Sequence, residues 1–275
     1  MKANEITNFT IPTLPLFVPG HRSEIIVKAF ASGADMVIVD LEDAVAEADK
    51  PQAHINLASC PATSVPIAVR VNSPESQWFS ADLEAVKASQ AVMVVVPKAE
   101  KPTDLDLICN VVGTNTPILP IIETANGLAS VAALLEHPLV PLCAFGHLDF
   151  SLDIGASSEW ESLLFARSQL VLQSRLAGVS RPLDGVTVSF DDPGVVVAEA
   201  RRSRDLGFGG KLLIHPRQVA PAMSVFRPSR EDYNWALSVL AAVADNCSAV
   251  KLDGEMIDMP VIKRAEQIKQ DFETY

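Results

Sequence analysis

Eight short, β-branched apolar runs, each ending in a charged or polar residue, restrict what this chain can fold into. The runs are Leu14–Gly20, Met36–Asp43, Pro66–Asn72, Val92–Lys98, Ile118–Thr124, Pro141–Asp149, Asp184–Asp191 and Gly210–Pro216. Continuous Val, Ile and Leu without period-two alternation is the pattern of strands covered on both faces, and the intervals between runs are long enough for helices. Eight such strands joined by right-handed helical crossovers predict an α/β fold, a (β/α)8 TIM barrel. A doubly wound open sheet is the competing architecture, but its glycine fingerprint is missing. Gly20 stands alone after the first run, and Gly207-Phe208-Gly209-Gly210 precedes a strand instead of opening a helix.

Helix signals fill the intervals. Ser23 is a cap for a helix with Ile25, Ile26, Ala29 and Phe30 on one face, stopped by Gly33. Pro51, Pro102 and Pro193 sit at first helical positions, the last behind Asp191 and Asp192 as caps. Leu128, Val131, Ala132 and Leu135 form an inward stripe, and a long helix is expected from about Glu159 to Ala177, ending at Gly178. Beyond the barrel, residues 1–228, lies an extension, residues 229–275, read as helix, hairpin and helix. Ser229 caps the first helix, Asp253-Gly254 makes the hairpin turn, and Pro260 opens the last helix. The extension is expected to pack on the barrel mouth or on a neighbouring subunit.

With 275 residues and 48% hydrophobic composition, the chain can bury roughly three quarters of its unfolded surface, enough for one large domain. A net charge of −12 and the lack of any basic run argue against nucleic acid and anionic membrane as partners, since both require a contiguous cationic footprint. Cys60, Cys109, Cys143 and Cys247 are widely spaced without a C-x-x-C pair, which favours reduced thiols over disulfides or zinc. Met1–Thr10 is polar and no apolar stretch reaches roughly 18 residues, so a cytoplasmic protein is expected.

The residues closing the runs would converge on one rim of the barrel, where such folds carry their chemistry. Two of them, Glu123 and Asp149, would lie on adjacent strand ends. Like charges about 4 Å apart repel by roughly 4 kcal/mol at an effective dielectric of 20, so they require a neutralising partner. Mg2+ held by two carboxylates, with water and substrate oxygens completing the octahedron, meets that need; the alternative is that each acid caps the following helix. Glu42 and Asp43 form an acidic cluster that can hold a metal-bound water or orient Arg70, or stand as solvated loop acids. Asp40, inside the strand, reads as a buried structural partner. Arg70 is costly to bury unless it meets an anion, either a substrate carboxylate or enolate or the acids of the second run. Lys98 is a Schiff-base candidate, though its acidic neighbours favour an ordinary charged lysine. His215 closes the last strand as a structural histidine or a ligand contact, and Arg201, Arg202 and Arg204 read as a solvated helix face.

Together these residues resemble the citrate lyase beta-subunit-like branch of the HpcH/HpaI aldolase family. The matching stretches are Leu16-Phe17-Val18-Pro19-Gly20-His21-Arg22, Val39-Asp40-Leu41-Glu42-Asp43-Ala44-Val45, Val69-Arg70-Val71-Asn72, Pro97-Lys98, Glu123-Thr124 with Gly127, Phe145-Gly146 with Asp149, Asp184-Gly185-Val186, residues 209–219 and residues 253–260. They run through nearly the whole chain in order. The resemblance implies Mg2+ bound through Glu123 and Asp149, with Arg70 gripping an oxo acid and Arg22, Lys98 and His215 on the substrate side. It also implies that Asp258 reaches into a neighbour's site in a homo-oligomer, a trimer or hexamer, unless Asp258 is only a helix cap. The implied reaction is reversible cleavage of a 3-hydroxyacyl-CoA thioester, such as citryl-, citramalyl- or malyl-CoA, to acetyl-CoA and a 2-oxo acid, without an organic cofactor.

Two departures affect the substrate. Family members often carry Pro-Arg where this chain has Ala125-Asn126, and an acid where it has Leu148. The alternatives are a subunit that takes its thioester from an acyl-carrier protein, a pyruvate-type aldolase acting on free hydroxy-oxo acids, and a catalytically silent ligand-binding barrel.

Overall fold

The computed structural model describes residues 9–244, 250–252 and 255–274. Cys247 and the Asp253-Gly254 turn, like Met1–Asn8, lie outside the described residues. The first half of the chain runs β1 (Pro15–Pro19), α1 (Ser23–Ala29), β2 (Met36–Asp40), α2 (Lys50–Ala58), β3 (Ile67–Arg70), α3 (Phe79–Lys87), β4 (Met93–Val96), α4 (Pro102–Val112) and β5 (Ile118–Ile122). It continues through α5 (Ala125–Glu136), β6 (Ala144–Phe145), α6 (His147–Asp153), α7 (Leu164–Ala177), β7 (Leu183–Asp184), α8 (Pro193–Leu206), β8 (Gly210–Lys211) and α9 (Val219–Phe226).

All eight strands pair in parallel in sequence order. The ring closes where Leu16 bridges Leu213, with Phe17 N donating to Leu213 O at 2.8 Å and Leu213 N to Pro15 O at 2.9 Å. Inside the ring, Met36, Ile38, Ala68, Met93, Val95, Leu119, Ile121, Leu142, Ala144, Leu183 and Leu212 form one apolar cluster. The alternate residues Val37, Val39, Val69, Val94, Val96, Ile118 and Ile122 are buried as well, on the face covered by helices. Burial on both faces is what the unbroken Val and Ile runs predict.

Several boundaries differ from the sequence expectation. Ser23 is the first residue of α1, with Arg22 in the capping position and no side-chain cap bond. The helix expected from Glu159 is a 3-10 turn, Glu161–Leu163, followed by α7, which ends as expected at Gly178 (φ 72°). On α5 the buried stripe is Gly127, Val131, Leu134 and Leu135, so Leu134 replaces Ala132. The last three strands are two residues each. The run expected to continue to Asp149 breaks because α6 begins directly after Gly146, whose carbonyl accepts from Phe150 N at 2.9 Å.

Contacts divide the chain into two compact units, Met1–Ala222 and Met223–Tyr275. The second contains α10 (Arg230–Ala244), the antiparallel pair β9 (Val250–Leu252) and β10 (Glu255–Ile257), and α11 (Met259–Thr274). Ser229 and Asp232 form a reciprocal capping box at the start of α10. Ala236, Val239, Ile257 and Ala265 make this unit's own core.

Barrel closure depends on a close backbone approach at Gly210, where a Cβ would stand 1.9 Å from the Thr13 carbonyl. That carbonyl accepts from Lys211 N at 2.9 Å across the closing seam. Gly210→Ala is therefore expected to lower the unfolding free energy by about 1–3 kcal/mol or more, read as a lower urea midpoint.

Candidate active site

The inward faces of the strands continue upward into polar residues at a spacing of two. Met36 and Ile38 lead to Asp40, Ala68 leads to Arg70, and Leu119 and Ile121 lead to Glu123. These side chains therefore stand at the top of the barrel by the same alternation that packs its core. They line a cavity of about 320 Å³ that also takes in Asp43, His147 and Asp149, with apolar walls that include Phe17, Leu148, Val186 and Ile214.

Arg70 is gripped from two sides. Its Nε and Nη2 donate to the two carboxylate oxygens of Asp40 at 2.8 and 2.6 Å, and its Nη1 lies 3.0 Å from Glu42 Oε2. The latter contact pairs charges without a hydrogen-bond angle, so Glu42 Oε2 is buried with an open acceptor. Phe17 lies under the guanidinium at 4.9 Å. Burial works against the charge on Arg70, but Asp40, then Glu42 and Glu123, outweigh it and raise its pKa above the ordinary arginine value. Asp40 is itself fixed by Glu42 N at 2.9 Å and Ala44 N at 3.1 Å, so the expected structural role of this acid is to orient Arg70.

Glu123 is only 3% exposed. Its Oε1 accepts from the Lys98 backbone N–H at 2.7 Å, and Oε2 stands where a Cβ on Gly146 would come within 2.4 Å. Burial pushes its pKa up to about 8, the negative charges of Glu42 and Asp149 adding to the effect against the Lys98 N–H. Asp149 lies on the first turn of α6 and not at a strand end, yet the same cavity exposes it. Among the described residues no cluster of three His, Cys, Asp or Glu side chains is shaped to hold a metal. The donors are two carboxylates whose charges act on each other in one cavity, a hard-oxygen set that fits Mg2+ with its remaining positions left to water and substrate.

The sequence matches the family described as HpcH/HpaI aldolase/citrate lyase over residues 14–216. The chain belongs to that family. A citrate lyase subunit beta-like protein from Deinococcus radiodurans is 36% identical, with 92% of this chain and 94% of the relative aligned. The mitochondrial citramalyl-CoA lyase of Rattus norvegicus is 29% identical, over 92% of this chain and 83% of its own length. Among solved structures, Mycobacterium tuberculosis CitE in complex with magnesium, acetoacetate and coenzyme A superposes with a TM-score of 0.83 at 30% identity, covering 95% of this chain and 98% of that one. Members of the HpcH/HpaI aldolase/citrate lyase family are carbon-carbon lyases.

The other expected site residues are placed as follows. Asp43 is exposed on the cavity wall. Lys98 Nζ donates to Glu42 Oε1 at 2.9 Å. Burial alone would lower its pKa, but Glu42 and, more weakly, Glu123 and Asp43 raise it above the usual lysine value. An ammonium held charged in this way is a poor imine-forming nucleophile. Arg22 turns to Glu24 at 2.8 Å, and His215 Nδ1 accepts from Arg217 N at 3.2 Å while its ring stacks on Phe190; neither lines the cavity. Asp258, in the second unit, is exposed and accepts from Val261 N at 3.2 Å at the start of α11. Among the described residues no helix is long and apolar enough to cross a membrane.

Two buried polar networks behind the cavity escaped the sequence reading. In one, Lys50 Nζ donates to the carbonyls of Leu41 and Glu42 and to Asn72 Oδ1, and Asn72 donates through N and Nδ2 to Asp82 Oδ2, whose other oxygen meets His54 Nε2 at 2.6 Å. This network holds the loop that carries Glu42. In the other, Asp184 meets Arg167 Nε at 3.0 Å, Ser203 Oγ, and Lys211 Nζ at 3.8 Å. His147 stands beside it, its pKa lowered to about 4 by burial and then by Arg167. The signals were present: Asp82 falls on the apolar stripe Phe79, Leu83, Val86, and Lys50 occupies a helix start, where the dipole disfavours a cation. Asp82→Ala leaves the Asn72 backbone N–H and the His54 ring without their acceptor, while Asn72 Nδ2 keeps the Leu41 carbonyl at 2.9 Å. It is expected to cost about 3 kcal/mol of stability, at the upper end for orphaned buried donors, as measured by denaturant unfolding.

Proposed function

We propose that this protein is a Mg2+-dependent lyase that cleaves or forms a 3-hydroxyacyl-CoA thioester of the citramalyl, malyl or citryl type, yielding acetyl-CoA and a 2-oxo acid. The observation that carries the reading is a buried Glu123 sharing one cavity with Asp149 and with an Arg70 fork fixed by Asp40. Glu123 and Asp149 would hold the ion, which supplies Lewis-acid polarisation of the oxo-acid carbonyl. The bound ligands named for CitE, magnesium, acetoacetate and coenzyme A, agree with this set of partners.

In the cleavage direction the bond between the hydroxyl-bearing carbon and the thioester α-carbon breaks, and the hydroxyl becomes the carbonyl of the oxo acid. Asp43, exposed on the wall, is available to take the hydroxyl proton. Arg70 stabilises the charge that develops on the oxo-acid oxygens. Asp258 returns a proton to the acetyl carbon, and it does so from a neighbouring copy in a homo-oligomer. Glu42 positions Arg70 and Lys98, and Lys98 contributes positive charge at the rim, whereas Arg22 and His215, turned to Glu24 and Arg217, stand outside the cavity.

The word subunit in the name of the Deinococcus radiodurans relative favours one second reading, a subunit of a larger lyase, for which we propose an acyl-carrier protein as the source of the thioester. Purified protein incubated with citramalyl-, malyl- and citryl-CoA and Mg2+ is expected to release acetyl-CoA unaided. Turnover only with carrier-protein thioesters would select the subunit reading, and cleavage of free hydroxy-oxo acids alone would select the aldolase. Arg70→Lys keeps the charge but loses the fork, and is expected to lower kcat/KM about 100-fold, or nearly 3 kcal/mol of barrier. Calorimetric titration of Glu123→Ala with Mg2+ is expected to show no binding; unchanged affinity would remove Glu123 from the ligand set. Mixing inactive Asp258→Ala with inactive Glu123→Ala is expected to restore turnover, because mixed oligomers then contain complete sites.

A further inference from the structure

We propose that the cavity selects a 2-oxo acid bearing one carboxylate and an apolar substituent, and discriminates against dicarboxylic oxo acids. This rests on the lyase reading above and narrows its substrate class. Arg70 is the one Arg or Lys among the described residues lining the cavity, and the other charged groups on its wall are Asp40, Asp43, Glu123 and Asp149. All three guanidinium nitrogens of Arg70 are already engaged by Asp40 and Glu42.

The nearby cations are committed elsewhere. Lys98 Nζ is bound to Glu42 Oε1 at 2.9 Å and does not line the cavity. Lys211 and Arg167 are paired with Asp184, and Lys50 is spent on two carbonyls and Asn72. A dication and Arg70 together bring three positive charges against the four carboxylates on the cavity wall, Asp40, Asp43, Glu123 and Asp149, Glu42 being matched by Lys98. The set remains anionic even when loaded.

One substrate carboxylate can share the ion and the outer edge of the Arg70 fork. A second would have to leave water for a wall of Leu148, Val186, Leu212 and Ile214 beside Phe17, where no Arg or Lys side chain stands to pair with it, and an unpaired desolvated charge is among the costliest groups to bury. An alkyl substituent meets that wall favourably.

The test is calorimetric titration of the full chain in saturating Mg2+ with pyruvate and 2-oxobutyrate against oxaloacetate and 2-oxoglutarate. The monocarboxylates are expected to bind at least about 10-fold more tightly, the equivalent of about 1.4 kcal/mol. Leu148→Lys, at a half-exposed wall position that folding tolerates, places a cation on the apolar wall and is expected to bring oxaloacetate affinity up at least to that of pyruvate. Equal or tighter oxaloacetate binding by the wild type overturns the proposal alone. If neither class binds while Mg2+ still does, the proposal falls together with the lyase reading. No gain of dicarboxylate affinity in Leu148→Lys overturns the assignment of the second carboxylate to this wall.

Discussion

A guanidinium buried among carboxylates at the mouth of the barrel organises everything around it. Arg70 is 14% exposed on its side chain and Asp40 1%, so neither charge is well hydrated, and each is tolerable only because the fork-to-carboxylate match is two-pronged. Asp40 has no freedom to leave, since two backbone N–H groups of the following loop hold its other lone pairs. That loop delivers Glu42 to Arg70 and to Lys98, and Lys98 in turn presents its N–H to Glu123. The acids are therefore coupled through one chain of charge-assisted contacts, and the position of each depends on the position of Arg70.

Much of this was legible because the barrel imposes a period of two. Once Ile38, Ala68 and Ile121 point inward, Asp40, Arg70 and Glu123 must do so as well, and the sequence alone places them. The ends of the later strands were not legible. Apolar content continues through Phe145 and resumes at Leu148 and Phe150, but those residues belong to α6, so Asp149 arrives from a helix turn instead of a strand. Composition does not mark where hydrogen-bonded register stops and helix begins when both faces are buried. Arg22 and His215 close strand-like runs and yet turn to Glu24 and Arg217, because a side chain at a strand end takes a local partner when one lies two residues away.

The two halves of the barrel are held differently. From β1 to β5 the ladder is four or five residues per strand, with an apolar interior. From β6 to β8 each strand contributes two residues, and part of the cohesion passes to the buried Asp184, Arg167, Lys211 and Ser203 cluster, which ties β7 and β8 to α7 and α8. Ion clusters of this kind are sensitive to the loss of any member, since the remaining charges are stranded away from water. Asp149 is carried on this side, and Arg70 on the other.

Lys98 has a left-handed backbone, φ 46°, which a residue with a Cβ adopts only against resistance. Glycine would accept that conformation freely but would bring no ammonium. With lysine there, the twist aims one amide at Glu123 while the side chain reaches back to Glu42, so a single residue spans two acids that repel each other. The local discomfort of this peptide acts as a clip: it keeps two carboxylates at a fixed separation, and a relaxed backbone at this position would let the pair drift apart.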